Sequence, residues 1–142
     1  MHHIFVYGTL KRNFPNHHFI GKIAKYEGRY KTVEAFPLVV GGPWYSPYLI
    51  DEPGVSVSVI GELYSVDAAG LTFVDDLEGV GAPGAYRRVA IEISPCDDVE
   101  TVETVWTYVK DRKDIEGIHD ELGSSYERDQ RYILPKNRKS RF

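Results

Sequence analysis

A single cysteine, Cys96, occurs among 142 residues, which excludes an intrachain disulfide and any two-cysteine zinc motif. It follows Pro95 and precedes Asp97 and Asp98, whose charges disfavour a thiolate, so it reads as an inert loop thiol. Four of the five histidines fall in adjacent pairs, His2-His3 and His17-His18, with no His-Glu-x-x-His spacing, and no metal site is expected. No apolar run approaches the roughly 18 residues of a membrane span. The first apolar run is Ile4 to Val6, too short for a secretion signal. Positive charge is not in excess either: 17 Lys/Arg stand against 21 Asp/Glu, a formal net charge of −4, which gives no overall field for nucleic acid. The expectation is one cytoplasmic domain over residues 1–142, a monomer with no membrane or nucleic-acid partner.

What is present points to a folded, strand-rich chain. The composition is 42% hydrophobic and 27% charged, and the 13% aromatic fraction includes ten Tyr, residues suited to strands and to a pocket wall. Ile4-Phe5-Val6-Tyr7 is a short apolar strand stopped by Gly8, the pattern of a strand buried on both faces. Val55, Val57 and Val59 alternate with Ser56 and Ser58, a parity continuing to Gly61 and Leu63, and predict a half-buried strand with a close approach at the glycine. Two further strands are predicted around Val89, Ile91 and Ile93, and along Val102 to Val109. Phe36 to Val40 is a candidate strand whose Pro37 suits an edge or a start. Gly41 to Pro47, with Trp44 and Tyr45, and Gly79 to Gly84 read as loops. Strands with one or two helices place the chain in the α+β class. From Glu127 to Phe142 six Lys/Arg accompany two acidic residues, a basic tail read as a solvated end.

The convincing helix runs from Ala68 to Leu77, with Asp67 as N-cap. On a wheel turning about 100° per residue from Leu71, Val74, Leu77 and Phe73 fall at about 300°, 240° and 200°. Glu78 falls at about 340°, inside that apolar arc, whereas Asp75 and Asp76 fall outside it at about 40° and 140°. One of the three carboxylates therefore faces inward, where desolvation raises its pKa and makes it a base near neutral pH. The alternative is a helix-terminal glutamate whose head reaches water past the apolar stripe. The other feature is Tyr7-Gly8-Thr9-Leu10-Lys11, a strand stopping at glycine. Its next backbone N–H groups can converge as an anion-binding nest. An ordinary strand-to-loop turn is the alternative, and no Walker or dinucleotide fingerprint follows.

Taken together, Phe5 to Lys11, Pro15-Asn16-His17, Gly61 to Asp67 and Asp75-Asp76-Leu77-Glu78 resemble the γ-glutamylcyclotransferase-like family. The ending, with His119-Asp120, Tyr126, Arg131-Tyr132, Pro135 and Asn137-Arg138, is similar to its γ-glutamylamine cyclotransferase branch. The resemblance implies a small mixed β-barrel with flanking helices and a cavity between them. It implies Tyr7, Gly8, Thr9 and Leu10 as the substrate-binding loop, Glu78 as catalytic acid/base, and wall or support roles for Tyr86 and Arg88. The implied substrate is a small γ-glutamyl amide such as γ-glutamyl-lysine, converted to 5-oxoproline and free amine without cofactor or metal. A γ-glutamyl dipeptide as substrate, or a non-catalytic small-ligand module, are the rival readings, since a fold does not fix a function.

Overall fold

The structure, a computed structural model, describes residues 1–138; Lys139, Ser140 and Arg141 of the basic tail lie outside the described residues. The strands in chain order are β1 (His2–Val6), β2 (Lys25–Thr32), β3 (Leu38–Gly41), β4 (Ser46–Leu49), β5 (Ile60–Val66), β6 (Arg87–Pro95), β7 (Glu103–Val109) and β8 (Ile118–Leu122). One α-helix, α1 (Ala68–Leu77), separates β5 from β6. Five strands close a barrel in the order β1-β5-β2-β6-β7. All its pairings are antiparallel except β1 with β7, which run parallel with Ile4 opposite Trp106. The barrel is therefore mixed, as the resemblance implied. A second antiparallel sheet, β4-β3-β8, was not anticipated.

Alternation explains how the core divides. Phe5, Leu63, Ile91, Ile93, Val105 and Val109 point into the barrel. Ile4, Val6, Tyr64, Val66 and Tyr108, from the opposite faces of β1, β5 and β7, meet Leu71 and Val74 of α1. β1 is thus buried on both faces, which is why its residues show no polar alternation. At Gly61 an added Cβ would lie 2.3 Å from the Val6 carbonyl and 2.7 Å from the Phe5 ring. That is the close approach its parity suggested.

Two sequence expectations need correction, those for Val55 to Val59 and for Phe73. The Val55-Val57-Val59 alternation is not one strand: Ser56 has φ +78°, Val55 and Val57 are exposed, and β5 begins at Ile60. Pairing there is limited to an isolated antiparallel bridge between Val57 and Phe36. The loop read at Gly41 to Pro47 is the tip of the β3–β4 hairpin, with Gly41 opposite Ser46, Gly42 at φ +72° and Tyr45 at +53°, and it lines a cavity. Phe73 lies outside the buried arc at 44% exposure, because only the Leu71 and Val74 side of α1 meets the barrel. Pro37 precedes β3 as a strand start, and β3 is the central strand of its sheet rather than an edge.

Candidate active site

Glu78 is fixed by the way its helix ends. Asp67 Oδ1 accepts the Gly70 N–H at 2.7 Å and caps the start of α1. Glu78 is the C-cap, followed by Gly79 at φ +71°. The Gly79 N–H reaches the Asp76 carbonyl at 3.1 Å and the Val80 N–H reaches the Asp75 carbonyl at 3.0 Å. That double closure is a Schellman ending, which requires the left-handed residue that glycine supplies. The helix stops at a defined residue, and its last side chain points into a cavity of about 350 Å³.

Glu78 borders this cavity yet is packed deeply enough that loss of water dominates its chemistry. Burial raises its pKa to about 7, against a smaller opposing pull from the positive charges of Lys110 and Arg138. A carboxyl poised there holds or releases a proton at neutral pH, the property a general acid/base needs. Glu78 is half-buried and lines the cavity.

All four residues of the Tyr7-to-Leu10 segment line the same cavity as Glu78. Among the described residues the amides of Gly8, Thr9 and Leu10 have no hydrogen-bond acceptor, while the Gly8 and Thr9 carbonyls accept from Lys11 and Asn16. Unsatisfied N–H groups clustered at one loop are what an anionic or carbonyl ligand can occupy. The loop has no slack on its other side: a Cβ at Gly8 would lie 2.7 Å from the Pro47 ring. Tyr7 is buried, and its hydroxyl donates to the Tyr108 carbonyl at 2.7 Å, which ties the loop to β7. Burial, reinforced by the charge of Glu78, raises the Tyr7 phenol, so it stays a neutral donor.

Tyr86 and Arg88 divide the roles expected of them. Tyr86 lines the cavity and donates to the Pro47 carbonyl at 3.1 Å, making a wall. Arg88 stands behind α1 instead, paired with Asp75 at 2.9 Å and stacked 4.5 Å over the Trp106 ring. Asp75 also accepts from the Tyr108 hydroxyl at 2.7 Å. The helical wheel put Asp75 outside the apolar arc, yet it holds the last turn of α1 against β6 and β7.

Sequence reasoning missed several cavity residues. Lys110 lies 4.8 Å from the Tyr48 ring centre and 5.5 Å from that of Tyr86, and burial lowers its pKa against the raising fields of Asp114 and Glu78. The parity of Trp106 and Tyr108 continues to Lys110 and was a signal available in advance. Asn16 Nδ2 donates to Thr9 Oγ1 at 3.0 Å and to the Tyr132 hydroxyl at 2.6 Å. Arg138, read as part of a solvated tail, instead lies against the cavity and 4.4 Å over the Trp44 ring. The segment before it is anchored to the hairpin tip by the Ile133 N–H on the Trp44 carbonyl at 3.0 Å. Arg131 pairs with Asp120 and Asp129. Among the described residues no three His, Cys, Asp or Glu side chains converge as a metal site, and no helix is long and apolar enough to cross a membrane.

Comparison with known proteins places this geometry. The family model described as gamma-glutamyl cyclotransferase, AIG2-like matches residues 4–129. A rat gamma-glutamylaminecyclotransferase is 46% identical over 97 residues, covering 66% of this chain and 64% of that protein. Its human counterpart is 38% identical over 99 residues, covering 67% and 63%. The matched stretch therefore spans a little under two thirds of these relatives' length. A crystal structure of a mouse AIG2-like protein superposes with a TM-score of 0.79 at 34% identity, covering 97% of this chain and 99% of that one. With a barrel of this topology and a family match from β1 through the segment after β8, the chain belongs to the gamma-glutamyl cyclotransferase, AIG2-like family.

Proposed function

We propose that the protein is a γ-glutamylamine cyclotransferase, with Glu78 as its acid/base and the Tyr7-to-Leu10 loop as its γ-glutamyl-binding element. The observation that carries this reading is a single desolvated carboxyl, with pKa about 7, facing a cavity that it shares with the loop of unpaired amides. A γ-glutamyl amide folds so that its α-nitrogen meets its own γ-carbonyl carbon. The nitrogen begins as an ammonium, and Glu78 takes a proton from it so that the lone pair can attack. The new C–N bond closes a five-membered ring, and the negative charge that develops on the carbonyl oxygen is met by loop amides. The old amide C–N bond then breaks. The attacking nitrogen gives up two protons in becoming the lactam N–H, and the departing nitrogen gains two and leaves as an ammonium. Glu78 carries them from one to the other in turn.

Holding the chain curled supplies much of the acceleration, since the reacting atoms belong to one molecule and need only be oriented. The chemistry requires no metal or nucleotide. A monomer is the working unit of this reading, and the lone thiol Cys96 suits a reducing compartment such as the cytoplasm. The test is incubation with a panel of γ-glutamyl amines and γ-glutamyl dipeptides, with 5-oxoproline followed by mass spectrometry. Product from the amines with little from the dipeptides is expected. No product from any member would overturn the enzymatic reading.

A further inference from the structure

Three tyrosines of the cavity wall spend their hydroxyl protons inside the protein. Tyr7 donates to the Tyr108 carbonyl at 2.7 Å, Tyr86 to the Pro47 carbonyl at 3.1 Å and Tyr108 to the Asp75 carboxylate at 2.7 Å. Tyr132 lines the same cavity and is wired the other way round. Its hydroxyl oxygen accepts from Asn16 Nδ2 at 2.6 Å and from Arg138 Nη2 at 3.0 Å. Two donors thus fill the acceptor side of the phenol, and among the described residues its own proton has no acceptor. The direction of both bonds is set by chemistry. A guanidinium can only donate. Asn16 is buried with its Oδ1 unpartnered, and turning its amide over would bury two unpaired N–H donors in place of one unpaired carbonyl oxygen.

This unspent proton sits beside the binding loop. Asn16 Nδ2 also reaches Thr9 Oγ1 at 3.0 Å, so a single nitrogen separates the Tyr132 hydroxyl from the loop whose amides are unpaired. The hydroxyl is held from behind as well, because Arg138 is pinned by its Nε on the Ile133 carbonyl at 3.0 Å and by the Trp44 ring. Hydrogen bonds received by a hydroxyl polarise its O–H and strengthen it as a donor. The γ-glutamyl half of a substrate offers two acceptors, the α-carboxylate and the γ-carbonyl oxygen. The charge of the carboxylate is constant through the reaction, whereas that of the carbonyl oxygen grows as the nitrogen attacks. A neutral, polarised and fixed donor gains most against a charge that grows.

We propose that Tyr132 is a further catalytic residue, whose hydroxyl donates to the γ-carbonyl oxygen of the substrate and shares with the loop amides the negative charge that develops there. This inference rests on the cyclotransferase reading above. Tyr132 keeps its proton throughout, and the protons that move between the two nitrogens remain with Glu78. Asn16 and Arg138 act through Tyr132 as positioning residues. The experiment follows 5-oxoproline released from a γ-glutamyl amine by the full chain, well above the pH midpoint of Glu78, and reads kcat and KM separately. Tyr132→Phe removes the hydroxyl and keeps the ring. Its kcat should fall by roughly 10²–10³, the loss expected for one oxyanion donor, with KM nearly level.

Asn16→Asp reverses one bond without breaking the chain of contacts. The new carboxylate accepts from Tyr132 and from Thr9, so both links persist while the Tyr132 proton is drawn away from the substrate. Its kcat should also fall by roughly 10²–10³ with Tm held, and this variant decides the question should Tyr132→Phe not fold. A tyrosine that only braces the C-terminal segment would be satisfied by that carboxylate and would leave kcat level. A level kcat in either folded variant would therefore overturn the proposal. So would a loss confined to KM, which would assign the hydroxyl to the α-carboxylate. Absence of 5-oxoproline with the unchanged protein would instead defeat the cyclotransferase reading, and this proposal with it.

Discussion

Replacing Glu78 by Gln removes one titratable proton from the protein's interior and little else, since the amide has nearly the same shape. The carboxyl's pKa is raised from 4.5 to about 7 by burial, which at 1.36 kcal/mol per pH unit is about 3 kcal/mol held against the ionised form. The sign follows from proton counting. Between those two values the folded chain keeps a proton that the unfolded chain has released, so stability falls as pH rises. This contribution is complete below 4.5 and gone above about 7. Glu78→Gln has no such proton and no such fall. Urea unfolding of both proteins at intervals from pH 4 to 8 should show the variant gaining about 3 kcal/mol on the parent across that window. The other carboxyls titrate alike in both proteins and cancel in the difference. In parallel, kcat/KM of the parent for a γ-glutamyl amine should rise with a midpoint at about pH 7, and the variant's turnover should fall by about 10²–10⁴. A stability difference flat with pH would show that the carboxyl is hydrated, and the basis for its role would be gone.

The other expectations are more local. Gly8→Ala drives a methyl group into the Pro47 ring, 2.7 Å from its nearest carbon. It should cost about 1–3 kcal/mol, read as a Tm lowered by roughly 3–10 °C, together with a raised KM; an unchanged Tm would refute the packing described. Asp75→Asn removes the charge that Arg88 pairs with at 2.9 Å and should destabilise by about 1–2 kcal/mol. Adding Arg88→Met to it should then cost much less than Arg88→Met alone, and simple additivity in the double-mutant cycle would show that the pair is not coupled. Titration with 5-oxoproline followed by NMR should shift the amides of Gly8, Thr9 and Leu10 and the environment of Glu78. Shifts confined to residues beyond Arg138 would refute the placement of the site.

Local signals in the sequence carried the parts of the site that are local in the chain. The Asp67 cap, the helix to Leu77 and the glycine after Glu78 all lie within about a dozen residues, and the helical period placed Glu78 inside the apolar arc while leaving open whether its head reached water. β1 was legible for the same reason, as an apolar run stopped by Gly8. Failures came where a partner distant in the chain decides the outcome. Valine alternation at 55–59 looked like a strand, but pairing is supplied by neighbours: Val57 makes only an isolated bridge to Phe36, and the continuous ladder starts at Ile60. The second sheet joins β3 to β8, whose His119-Asp120-Glu121 carries no strand signature of its own. Arg138 looked like solvated charge because the Trp44 ring that covers it comes from the β3–β4 hairpin tip. Asp75 was placed on the solvent side of the wheel, and only the arrival of Arg88 and Tyr108 gave it an inward task.

The parallel pairing of β1 with β7 joins residues far apart in the chain, Ile4 with Trp106, and closing so long a loop is entropically demanding. The Tyr7-to-Leu10 loop leaves β1 at that seam and takes its final shape from Pro47, Tyr108 and, through Asn16, Tyr132. The pocket therefore depends on contacts that only the closed barrel and the C-terminal segment bring to the loop. Ligand grip and barrel closure are then a single equilibrium: a molecule held between the loop and Glu78 tightens the seam itself, and its binding free energy is felt along the whole circuit of strands.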